Sequence, residues 1–115
     1  MATLTVNVVN AQAGFRDDNA LVAAAGGGDA FAPGADTFIR VNNAGGAPIT
    51  VTFATPGSIS GNAIADGGGS VTNAQSRLFG PFPADQYADP TTGLVTTTYS
   101  AVTSVTVGVF KIPRQ

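Results

Sequence analysis

The sequence predicts an all-β fold: a single antiparallel β-sandwich or jelly-roll-like domain with a long irregular N-terminal segment. Three observations predict it. Apolar residues alternate with Thr, Ser and Asn at period two over several short runs, the pattern of strands with one buried face. Gly, Pro and Asn punctuate those runs at short intervals, as turns do in sandwiches and barrels. Helix signals are few, and the one candidate is followed at once by Gly26-Gly27-Gly28.

The elements follow in chain order. Leu4, Val6 and Val8 alternate with Thr3, Thr5 and Asn7, which predicts an N-terminal strand over 3–9. Residues 10–36 are rich in Ala and Gly and read as an irregular arm, too long for a simple connection. Inside the arm, 19–25 is the one helical candidate, with Asp17-Asp18-Asn19 as a cap. The body of the sandwich is expected over 37–112. Asn42-Asn43-Ala44-Gly45-Gly46 supplies turn chemistry between two alternating runs, so 38–53 reads as a β-hairpin.

Thr55-Pro56-Gly57 ends the second run, and 58–65 is a weaker strand. Asp66-Gly67-Gly68-Gly69 reads as a flexible loop, and 70–73 with 77–79 as two parts of one strand joined through a bend. Pro81 and Pro83 break pairing around Phe82. A turn region over 85–93 leads to a C-terminal pair of strands, 94–99 and 102–112. The alternation places Ile39, Val41, Ile49, Val51, Phe53, Val105, Val107 and Val109 inward.

Composition restricts function. The 115 residues fit one domain, 1–115. Charged residues are 10% of the chain, Glu is absent, and the formal net charge is −2. Five scattered cations make no basic footprint, so nucleic acid is not an expected partner. The longest run of apolar and small residues, 20–28, is too short to span a bilayer, so no membrane is expected either. The start of the chain lacks the basic and apolar regions of a secretory signal. With so few charges to keep free copies apart, an assembly covering much of the surface is expected.

Chemistry is similarly restricted. His, Cys and Glu are absent, so Ser–His and Cys–His nucleophile pairs cannot be built. None of the seven Asp lies in a recognisable motif. The reading is that the chain is not an enzyme and uses no cofactor. Asp17-Asp18-Asn19 and Asp66-Gly67-Gly68-Gly69 lack the spacing of a calcium loop and read as solvated turns, so no metal is expected. The triple glycines lack the Lys and the helix of a phosphate loop. Phe15, Phe31, Phe79, Phe82 and Tyr87 lie in irregular segments. They either plug the ends of the sandwich or bind a partner, and they are the candidate partner-binding residues.

Several stretches carry a family resemblance. They are Phe31-Ala32-Pro33-Gly34-Ala35-Asp36-Thr37-Phe38-Ile39-Arg40-Val41-Asn42-Asn43, then Ile49-Thr50-Val51-Thr52-Phe53-Ala54-Thr55-Pro56-Gly57. They continue with Arg77-Leu78-Phe79-Gly80-Pro81-Phe82-Pro83 and Tyr99-Ser100-Ala101-Val102-Thr103-Ser104-Val105-Thr106-Val107. In this order the chain resembles small capsid decoration, or cement, proteins of tailed bacteriophages and prophages. The resemblance implies a virion structural protein, made in the host bacterial cytoplasm, that binds the major capsid protein on the outside of the head, as a homotrimer. It supplies no catalytic residues. On this reading the arm 10–36 forms much of the contact, with Phe15 and Phe31 as anchors. Two other roles suit the same architecture: a phage neck or tail component, and a carbohydrate-binding module. The second usually displays Trp or Tyr platforms, and this chain has no Trp and two Tyr.

Overall fold

The computed structural model describes residues 2–9, 21–56, 58–59, 62–63 and 66–112. Its strands are β1 (Ala2–Thr3), β2 (Val6–Val8), β3 (Val22–Ala23), β4 (Asp29–Phe31), β5 (Thr37–Asn43) and β6 (Ile49–Phe53). They continue with β7 (Ser58–Ile59), β8 (Asn62–Ala63), β9 (Gly67–Val71), β10 (Gln75–Phe79), β11 (Val95–Tyr99) and β12 (Val105–Lys111). Among the described residues the one helix is α1 (Ala84–Tyr87). The first sheet runs β1-β4-β11-β6-β9. The second runs β10-β5-β12-β2, with β3 also paired to β12. β7 and β8 form a small separate hairpin. Pairing is antiparallel except where β1 meets β4 and β2 meets β12, which are parallel.

The two sheets close on one core, and alternation decides which side chains enter it. Along β5 and β6 every second residue is buried, from Thr37 to Asn43 and from Ile49 to Phe53. All eight residues expected inward are buried, with Phe31, Val71 and Val95 beside them. Each such side chain contributes about 1.5–3 kcal/mol relative to exposure, so this layer holds the sheets together.

Strand partners differ from the sequence reading. β5 and β6 do not form a hairpin. They lie in opposite sheets, β5 between β10 and β12, β6 between β11 and β9. Alternation is satisfied either way, because an arch between sheets buries the same faces as a hairpin within one. Asn43 supports the arch. Its fully buried side chain donates from Nδ2 to the Ala47 carbonyl (2.9 Å) and to the Val71 carbonyl (3.1 Å). Its Oδ1 accepts from the Gly45 N–H at 3.0 Å. One side chain thus ties the bend after β5 to the end of β9 in the facing sheet. The C-terminal strands β11 and β12 are likewise divided between the sheets.

The glycine run 67–69 is part of edge strand β9, not a loop. Gly68 has φ of +123°, and a Cβ there would collide with the Val51 carbonyl, so only glycine lets the backbones lie this close. Residues 70–71 and 77–79 belong to two strands in different sheets, separated by a turn in which Ala74 has φ of +62°. The expected single N-terminal strand over 3–9 is split between β1 and β2, one in each sheet. The described part of the arm is built into the sandwich. Val22 and Ala23 form β3 where the sequence suggested a helical turn, and β4 is buried at all three positions. The helix instead sits at Ala84–Tyr87, in a stretch read as turn.

Asn43→Ala is expected to destabilise the fold by about 2–4 kcal/mol, because it strands buried carbonyl groups. The half-buried neighbour Asn42→Ala should change stability by less than about 0.5 kcal/mol. Urea denaturation of the two variants checks the contrast.

Candidate functional site

Four of the five aromatics singled out in the sequence come together. Phe82 lies edge-on to Phe31 (5.1 Å between centroids) and to Tyr87 (5.3 Å). Its ring tilts against Phe53 at 4.8 Å, and Phe53 in turn meets Phe79 at 5.3 Å. Phe31 and Phe82 are 0% and 2% exposed, while Phe79 and Tyr87 are partly buried against the same core. Phe15 lies outside the described residues. A partner-anchoring role does not fit the burial of Phe31 and Phe82. Both are consumed by the chain's own interior.

Local chain geometry explains why Phe82 reaches the core from a proline-flanked segment. A Cβ at Gly80 would come within 2.9 Å of both the Phe38 Cβ and the Thr37 carbonyl oxygen, so the chain can turn against β5 only with glycine there. The Phe82 backbone then exchanges two hydrogen bonds with Gly34, at 2.8 and 3.2 Å. After Pro83, α1 turns Tyr87 back over the Phe82 ring.

A second cluster was not legible in the sequence. Asp29, fully buried in β4, accepts at Oδ2 from the Tyr99 hydroxyl (2.8 Å) and from the Ala25 N–H (3.2 Å). Its Oδ1 and the hydroxyl of Thr97, its register partner on β11, are both buried without a hydrogen-bond partner. Burial pushes the Tyr99 phenol far above its ordinary range, and the hydrogen bond and charge of Asp29 add to this. The arrangement joins β4 to β11 through a neutral phenol held on a buried acid. The seventy positions separating the two residues hid the pair from sequence reading.

Among the described residues no three acidic side chains converge. Asp66 accepts from the Thr55 N–H and hydroxyl, both at 3.1 Å, and so fastens a turn. Asp17 and Asp18 lie outside the described residues.

The outer faces of the sheets are the remaining surfaces, and they differ. The first sheet presents Thr3, Thr50, Thr52, Thr96 and Thr98 with Ser70 and Gly68, none of them charged. Thr98 stands opposite Thr52, and Thr50 opposite Ser70, so the hydroxyls form cross-strand rows. The second sheet instead carries Arg40, Leu78 and Phe38 on this side, with Phe38 stacked on Phe110 (5.7 Å), which is itself buried. The threonine face is the candidate functional surface. It is polar and uncharged, so a partner can cover it without burying a bare ion.

Two outcomes follow. Phe82→Ala is expected to cost about 3–5 kcal/mol through the cavity it leaves, with Phe82→Leu losing less, as read by thermal unfolding. Tyr99→Phe should cost about 1–2 kcal/mol at neutral pH by removing a bond to a buried carboxylate. Because the folded phenol holds its proton more tightly than the unfolded one, its contribution is complete below pH 10.0 and fades at higher pH. The stability gap between parent and Tyr99→Phe should therefore narrow above about pH 10, measured by urea titrations across the alkaline range.

Compared with models of protein families, with curated proteins and with solved structures, the chain matches none.

Proposed function

We propose that this protein is a structural component of a phage virion that coats the outer surface of the capsid by binding the major capsid protein. The observation that carries the reading is the uncharged threonine face of the first sheet. Such a face makes many weak, similar contacts over a broad area and requires no reactive group. A shell repeats each contact many times, so modest affinity per copy is sufficient. The resemblance of the strand and turn segments to decoration proteins supports the same reading. The lack of His, Cys and Glu fits a role without catalysis.

The carbohydrate-binding alternative gains no support from the aromatic residues. Tyr99 is bonded to Asp29, and Tyr87 packs on Phe82, so neither forms an open platform.

Purified protein mixed with expanded heads of the phage encoding it should cosediment with them. Thr50 and Thr98 are exposed, so the double variant Thr50→Lys/Thr98→Lys should fold normally yet lose binding about tenfold or more, each lysine placing an unpaired charge in the contact. Undiminished binding by that variant removes the threonine face from the proposal. Quantitative mass spectrometry of whole particles separates the roles: on the order of hundreds of copies for a coat, about six or twelve for a ring in the neck or tail.

A further inference from the structure

We propose that the free edge of β10 is a self-association site, which takes β10 of a second copy of this chain in antiparallel register centred on Leu78. This stands apart from the capsid reading and does not depend on it.

The first observation is an open ladder. Among the described residues β10 pairs with β5 alone, so its other side presents backbone N–H and C=O groups whose natural complement is another extended backbone. Gln75, Ser76, Arg77 and Leu78 are all exposed. The usual edge protection is absent from this strand: it contains no proline, and its one charge is turned elsewhere. The Arg77 guanidinium donates to the Ser70 carbonyl of β9 at 2.7 Å and sits 5.4 Å from the centre of the Phe79 ring. It therefore caps the neighbouring edge of the first sheet and leaves β10 open.

The second observation is Leu78, 63% exposed and opposite Arg40 in the register with β5. An apolar side chain of this size on an unprotected edge strand gains by meeting its own copy across a two-fold axis.

Register selects the arrangement. Two copies related by a two-fold axis normal to the sheet keep their faces matched only if the axis passes through one residue of the strand. An axis at Arg77 sets two guanidinium groups directly opposite each other, which is repulsive. An axis at Ser76 sets Leu78 against Ala74, whose φ of +62° takes it out of strand conformation. An axis at Leu78 sets leucine on leucine and leaves each Arg77 where it is, on Ser70 and its own Phe79 ring. Of these three registers, this one sets apolar against apolar at the axis. A net charge of −2 opposes the approach of two copies only weakly. The contact is smaller than a standard interface, so the dimer is weak and forms where copies are concentrated.

The chain has no cysteine, which makes single-cysteine cross-linking clean. Across the proposed axis the two Leu78 Cα atoms fall within disulfide range, whereas the two Ser76 positions stand about 13 Å apart. Under mild oxidation Leu78→Cys should dimerise at least about tenfold faster than Ser76→Cys, its equally exposed neighbour on the same face. Leu78→Lys should abolish the dimer of the otherwise native chain in sedimentation equilibrium, and circular dichroism should show it folded. Equal cross-linking rates at the two positions indicate random collision and overturn the proposal. So do preferential cross-linking of Arg77→Cys, a purely trimeric association, and a parent that stays monomeric at millimolar concentration.

Discussion

Phe82 contributes to the core from outside the named strands, and the aromatic cluster around it depends on its ring. Its ring touches Phe31 of β4, Phe53 of β6 and Tyr87 of α1, and Phe53 carries the contact on to Phe79 of β10 in the second sheet. Without that ring, two strands of the first sheet would face a void. Two backbone bonds to Gly34 hold the segment that delivers Phe82. Close packing of this kind transmits strain, and a small domain has little other apolar area to offset its loss.

What was legible in the sequence was the face of each strand. Alternation is local, so the inward side of β5, β6 and β12 followed from Ile39, Val41, Ile49, Val51, Phe53, Val105, Val107 and Val109 alone. What was not legible was the partner of each strand. The run Asn42 to Gly46 looks like a hairpin turn because a bend between sheets uses the same residues. The decision rests on the Asn43 amide meeting Val71, twenty-eight positions away. The glycines of β9 misled for a related reason: Gly68 is required by the carbonyl it lies against, not by flexibility. Phe31 and Phe82 were visible as aromatics among small residues, but their direction, inward or outward, depends on strands far off in the chain.

Sheet switching also bears on how the domain forms. β5, β6, β10, β11 and β12 each pair with strands that are not their immediate neighbours in sequence. The Asn7 side chain bonds the Val109 carbonyl across 102 positions. Pairings of this kind close long loops before any contact offsets the entropy, so the domain belongs among slow-folding β topologies. The Asp29–Tyr99 bond has the same character, since neither partner is satisfied until β4 and β11 are side by side.

The parallel ladder between β2 and β12 has a mechanical consequence. Val6, Asn7 and Val8 run alongside Val109, Phe110 and Lys111 in the same direction. Tension applied through these two strands in opposite directions acts along the strands, while the ladder bonds run across them. All the rungs are then loaded together and must yield together, whereas an antiparallel hairpin pulled at its open end peels one rung at a time. Along β12 this ladder therefore resists tension in shear rather than by peeling.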